Sequence, residues 1–169
     1  MTCSLGASAT AQSTHVHGQG QVSMAIDQNL LSMTLESPGA DIIGFEHEAR
    51  TAEEKAAVTK ALKQLSDPMF VIQLPGSASC KVIQASSEVA SENGGEGHAD
   101  HEDHESEAHG SFIAEYQLAC ANIAVIDFIT FVYFGHFRNA QSLMVVLIDK
   151  NGQHRHEINR DIPILFLEK

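Results

Sequence analysis

Ten histidines in a chain of 169 residues, with no tryptophan and three cysteines, are the feature of this sequence that most directly implies chemistry. Four of them, His98, His101, His104 and His109, lie among Glu96, Asp100, Glu102, Asp103, Glu105 and Glu107. That stretch opens on Glu92, Asn93, Gly94 and Gly95 and carries no large apolar side chain. Such a composition cannot build a core, so the stretch is expected to be a flexible loop. Imidazole and carboxylate together suit Zn2+, and Cu2+ or Ni2+ fit the same donors. The plain alternative is a solvated acidic loop. His15 and His17 flank Val16; on an extended strand both imidazoles project from one face and can reach a single ion. An exposed polar strand face would look the same. His47 closes the run Gly44, Phe45, Glu46, His47 and adds a further imidazole beside a carboxylate, although Glu46 and Glu48 would equally complement the dipole of a following helix. His154 and His156 repeat the spacing on a later strand; there an exposed strand face is the preferred reading.

Catalytic patterns are missing. The sequence holds no H-E-x-x-H, no G-x-S-x-G and no glycine loop of the kind that cradles phosphate. His109 with Glu107 or Glu115 has the donors to activate a metal-bound water, but a flexible loop is a poor scaffold for catalytic geometry. The expectation is a binding protein, not an enzyme.

Charge narrows the ligands. The formal net charge is −12, and eight of the 22 acidic residues fall between Glu88 and His109, where there is no Lys or Arg. The remaining 14 acids face 10 bases. The acidity therefore belongs mainly to the histidine-rich segment, which attracts cations and is repelled by phosphate backbones and anionic membranes. Nucleic acid is excluded as a natural partner. No run reaches the roughly 18 apolar residues of a membrane span, so membrane insertion is not expected.

Ala9, Thr10 and Ala11 read as an A-x-A cleavage site without a preceding apolar stretch. Residues 1–13 are therefore expected to be the tail of an export signal, the alternative being a disordered N-terminus, and Cys3 has no part in the folded protein. Cys80 and Cys120 remain. In an exported chain a disulfide between them is the natural reading, with two buried free thiols as the alternative.

The elements that must position these groups can be read from periodicity. Val16, Val22, Met24 and Ile26 alternate with polar residues from His15 to Ile26, and Leu31, Met33 and Leu35 alternate with Ser32, Thr34 and Glu36; two strands in a hairpin are predicted. Thr51 to Glu54 form a capping box, and Val58, Ala61, Leu62 and Leu65 share one helical face before Asp67 and Pro68, which predicts a helix over about 51–66. Strands are predicted over 69–74 and 80–86, then over 111–120, with the acidic segment as an insertion loop over 88–110. The apolar, β-branched and aromatic run 124–134 favours a buried strand over a helix. Asn151 and Gly152 mark a hairpin between strands at 143–148 and 154–158, with a last strand at 163–167. His17-Gly18 and His109-Gly110 each open a strand pair, a likeness too faint to count as a repeat. The fold class is thus α+β, predominantly antiparallel sheet with one well-defined helix and the loop, in a single domain over 14–169.

The order of His15-x-His17-Gly18, Pro38, the Gly44 to His47 run, Cys80, the His/acid loop, Tyr116-x-x-x-Cys120 and Gly152-Gln153 resembles the ZrgA family of zinc-regulated exported proteins of Gram-negative bacteria, from about His15 to the C-terminus. The resemblance implies a periplasmic zinc-binding protein that assists an ABC-type zinc importer. It also adds support for His15, His17 and His47, for His98, His101, His104 and His109 as metal-handling residues, and for the Cys80 to Cys120 disulfide. Two rival readings stand beside it. One is a periplasmic buffer or resistance protein sequestering Zn2+, Cu2+ or Ni2+; the other is a β-rich protein-interaction domain whose histidines are incidental.

Overall fold

The computed structural model describes residues 18–91 and 110–168. Two adjacent strands start the fold, β1 (Gln19–Asp27) and β2 (Leu30–Pro38), followed by a single helical turn, α1 (Gly39–Ile42), and the main helix, α2 (Ala52–Leu65). Two long strands come next, β3 (Cys80–Ser91) and β4 (Gly110–Cys120). A short strand β5 (Phe128–Thr130), a turn of helix α3 (Tyr133–His136), the hairpin β6 (Ser142–Asp149) and β7 (Gly152–Asn159), and the short β8 (Ile164–Phe166) complete the chain. Six strands make one sheet in the order β3-β4-β2-β1-β6-β7, and β5 pairs with β8 in a separate small ribbon.

The alternation in the sequence becomes one buried sheet face. Val22 and Met24 of β1 lie opposite Leu35 and Met33 of β2, and opposite Val145 and Leu147 of β6. Leu31, Met33 and Leu35 in turn lie opposite Leu118, Tyr116 and Ala114 of β4. All of these are buried. A one-residue slip in any ladder would turn its whole apolar set to the other face, which is why the register is well specified. Four of the five pairings in the large sheet are antiparallel; β1 with β6 is parallel and needs the long crossover through the rest of the chain.

The helix forms where its sequence signals placed it. Thr51 Oγ1 accepts from the Glu54 amide at 3.1 Å while the Glu54 carboxylate accepts from the Thr51 amide at 2.9 Å, a complete capping box. Ala61 and Leu65 enter the core, and the buried Tyr116 hydroxyl donates to the Leu65 carbonyl, fixing the end of α2 to β4. On the sheet's edge, Ser87 Oγ donates to the Leu62 carbonyl at 2.8 Å.

Several predicted elements are corrected. Residues 69–74 are not a strand: Pro68–Phe70 is a 3-10 turn, capped by Asp67 accepting from the Met69 amide at 2.9 Å, and only Gln73 makes a bridge, to Thr130. Val71 and Ile72 are adjacent yet both fully buried, because this segment plugs the core and does not lie on a pleated surface. The run 124–134 is likewise broken, into a 3-10 turn at Ile123–Val125, the three residues of β5 and the turn α3. Its apolar character comes from packing Phe131, Tyr133 and Phe134 over the sheet, not from membership of it. β3 runs on to Ser91, taking the first residues assigned to the insertion loop, and β4 opens at Gly110. The remainder of that loop, and His15 to His17, lie outside the described residues.

Cys80 and Cys120 are joined by a disulfide between directly opposed positions of β3 and β4. It closes a loop with a sequence separation of 40 residues, which in the chain-entropy account stabilises by about 4 kcal/mol. Replacing both cysteines by alanine is expected to lower the unfolding free energy by an amount approaching that figure, read as a lower urea midpoint with the slope fitted separately. A midpoint equal to that of oxidised wild type would mean that the covalent link adds nothing.

Candidate metal centre

β2 ends at Pro38, and the chain that follows, residues 39–47, lies across one end of the sheet. Its contacts are specific. Asp41, only 2% exposed, accepts the Gly18 amide on Oδ1 at 2.8 Å, and the Gly18 carbonyl accepts from the amides of Gln141 and Ser142, both at 2.9 Å. Asn139 Nδ2 donates to the Ala40 carbonyl at 2.9 Å. The Glu46 carbonyl accepts the Gly110 amide at 3.1 Å. Gly18, next to β1, and Gly110, the first residue of β4, are therefore both fastened to one short segment, and β6 starts against Gly18.

Gly39 makes this possible. A Cβ there would stand 2.6 Å from the Phe45 carbonyl oxygen and 2.8 Å from that of Gly110, distances no side chain tolerates without moving backbone. Beneath the segment, Ser37 Oγ and Tyr133 Oη share a hydrogen bond of 2.7 Å. Burial pushes the Tyr133 hydroxyl well above the usual phenol range; the Ser37 hydrogen bond opposes the shift and the Asp41 charge adds to it. Tyr133 therefore stays neutral beside a buried carboxylate.

His47 is the sequence-predicted ligand that the described structure contains, and its surroundings restrict its chemistry. The ring stacks on Phe45, with centroids 4.7 Å apart and planes 20° apart. Nδ1 lies 3.1 Å from the Glu48 carbonyl; a carbonyl only accepts, so Nδ1 carries a proton, and in the uncharged form of the ring the lone pair is at Nε2. Metal-bound imidazoles are commonly oriented this way, by a backbone carbonyl on the other nitrogen. Nε2 faces Glu54 Oε1 at 3.8 Å. That is too long for a hydrogen bond and within a few tenths of an ångström of the separation of about 3.4 Å that nitrogen and oxygen adopt when both bind one tetrahedral Zn2+.

Glu54 was read from sequence only as a helix cap, and the structure gives it a second capacity. Its Oε2 accepts from the amides of Arg50, at 2.7 Å, and Thr51, at 2.9 Å, leaving Oε1 turned toward His47. The Thr51 and Arg50 amides, with a smaller contribution from the His47 charge, hold this carboxyl below the usual glutamate range against a modest desolvation effect. It is thus an anchored, ionised donor. The sequence signal lay in the capping box itself, seven residues after His47, but nothing in the periodicity says that the box folds back onto the imidazole.

His47 opens on a cleft of about 390 Å³ lined also by Phe45, Glu46, Val58, Val89 and Gly110, among others. Val89 stands near the end of β3 and Gly110 at the start of β4, so the histidine-rich stretch leaves and re-enters the described chain at the cleft's rim. His15, His17, His98, His101, His104 and His109 lie outside the described residues. Of these, His17 and His109 directly precede Gly18 and Gly110 in sequence, the two residues that residues 39–47 hold. Among the described residues no three His, Cys, Asp or Glu side chains are gathered closely enough to hold an ion as they stand. His136, stacked near Phe70 with centroids 4.8 Å apart, takes no part in this site, and His154 with His156 lies on β7.

Two substitutions test the construction. A folded-state pKa below the unfolded value means that the Glu54 contribution to stability is present above about pH 4.5 and is lost as the pH falls through the lowered pKa. Glu54→Gln should therefore be less stable than wild type at pH 7, with the difference shrinking on acidification below pH 4.5 in thermal melts; a constant difference would show that the charge is irrelevant. Gly39→Ala should cost roughly 1–3 kcal/mol by overpacking and should broaden the amide signals of Gly110 and Glu46, whereas an unchanged melt would refute the close approach.

Comparison with curated proteins finds no match. A family model matches residues 14–167 under the description ZrgA family zinc uptake protein, a span that takes in every sequence-predicted ligand and all eight strands. On that match the chain belongs to the ZrgA family of zinc uptake proteins.

Proposed function

We propose that this chain is an exported, periplasmic Zn2+-binding protein that collects the ion and passes it to an ABC-type zinc importer, binding its cargo without transforming it. One observation carries the reading: residues 39–47 fasten the starts of β1 and β4 to the same end of the sheet as His47 and Glu54. Gly18 and Gly110, which His17 and His109 directly precede in sequence, are thereby held at the end of the sheet that carries one preset imidazole and carboxylate pair. Membership of a zinc uptake family supports the choice of ion. No helix among the described residues is long and apolar enough to cross a membrane.

The mechanism has two stages. The acidic stretch draws Zn2+ by charge and holds it loosely through scattered imidazoles and carboxylates. His47 and Glu54, whose positions are fixed before the ion arrives, then bind it more tightly, with His15, His17 and His109 as the further ligands. Ion release follows the same logic in reverse, since a site completed from separate segments loses ligands one at a time. Histidine ligands must be neutral to bind, so affinity should fall steeply below about pH 6.

Competitive titration with a chromogenic chelator at pH 7.5 and pH 5, on tag-free oxidised protein, tests both stages. The tight Zn2+ site should survive deletion of residues 96–107, weaken at least tenfold in His47→Ala and in the His15→Ala/His17→Ala double variant, and be lost at pH 5. Affinity unchanged at pH 5 would remove histidine from the ligand set, and no submicromolar site in wild type would favour an interaction domain with incidental histidines. Synthesis under metal excess, not zinc starvation, would favour a sequestering buffer over an uptake protein.

A further inference from the structure

The turn of the β6–β7 hairpin lies at the other end of the sheet. β6 runs parallel to β1 from its start beside Gly18, and the seven residue steps from Ser142 to Asp149 span about 23 Å. An ion bound at His47 cannot be shared with Asp149 at the turn of this hairpin.

Strand pairing sorts its side chains. His154 and His156 lie opposite Leu147 and Val145, and Ile158 opposite Leu143. Those partners are buried, as is Ile158, so the two histidines share the inward face and are partly covered, while Gln153, Arg155 and Glu157 are exposed on the outward one. Asp149 shares the inward face by alternation along β6, and its side chain is only 10% exposed. Its Oδ1 accepts the Asn151 amide at 2.7 Å, which fixes the carboxylate in the turn.

His154 Nε2 stands 3.7 Å from Asp149 Oδ1. The nitrogen is cut off from solvent and has no hydrogen-bond partner. A histidine that merely fills space would place such an atom against water or an acceptor, because a buried polar atom left without either is costly. The contact is too long for a hydrogen bond but close to the separation of about 3.4 Å between two ligands of one tetrahedral ion. The His156 ring lies beside that of His154, with centroids 6.4 Å apart and planes 31° apart. Two imidazoles on one such ion have centroids about 5 Å apart, so rotation of one side chain about its own bonds completes the set.

We propose that Asp149, His154 and His156 form a second site for a divalent transition-metal ion, independent of the one at His47. The donor set of two imidazoles and one carboxylate suits Zn2+ and leaves the fourth position to water. Asp149 and His154 are preset and His156 closes on the ion. Arg155 faces away from the set.

Long-range 1H-15N spectra of the imidazoles in the full-length, oxidised wild type, titrated with Zn2+ alone at pH 7.5, test this directly. The His154 and His156 ring nitrogens should move to metal-coordinated positions, and His154→Gln should bind one Zn2+ fewer per chain. Asp149→Asn should weaken this site by at least about tenfold while leaving His47 unchanged. Resonances of His154 and His156 that stay in place while the other histidines saturate would overturn the proposal, as would equal stoichiometry in wild type and a folded His154→Gln. If a variant does not fold, the wild-type spectrum alone decides.

Discussion

The close packing of residues 39–47 onto the starts of two strands governs what the end of the sheet that carries His47 and Glu54 can do. Gly39 lets two carbonyls, of Phe45 and Gly110, come where any side chain would push them apart. Asp41 spends a buried carboxylate on the Gly18 amide, and a charge so placed is tolerated only because it is hydrogen bonded. Together these contacts turn an end-of-sheet loop into a fixed junction. Segments that are remote in sequence are brought to one place without having to meet through their own side chains.

At that junction the chemistry is incomplete by design of the donors. His47 and Glu54 are each oriented by backbone, one through the Glu48 carbonyl and the other through the Arg50 and Thr51 amides. Neither relies on the other for its position. An imidazole and a carboxylate held near ligand separation pay little reorganisation when an ion arrives, yet two donors alone hold it weakly. On the proposed function, a small preset nucleus extended by further ligands combines selectivity with release.

The rest of the fold has the task of keeping that end still. One face of the six-stranded sheet is buried under α2, the 3-10 turns and the aromatic cluster around Tyr133, and the disulfide staples the edge strand β3 to β4. The core is formed without any metal ligand: none of the four described histidines is among the fully buried residues. Binding and stability are in this sense separable for the histidines, whereas Glu54 also caps α2.

The sequence by itself determined the strands whose apolar residues alternate, the capped helix, the Asn151-Gly152 hairpin and the candidate imidazoles, because each is set by local periodicity or by a few neighbouring residues. It also marked Cys80 and Cys120 as partners. It misread 69–74 and 124–134, since an apolar run records burial but not the surface that buries it, and these segments cover the sheet from outside. Only the tertiary structure decided that Glu54 faces His47, that Asp149 lies beside His154, and that β1 pairs in parallel with β6. Each depends on which distant backbones come together, and in a sheet of largely non-local pairings that is settled by burying one continuous apolar face, a property of the whole chain and of no single window within it.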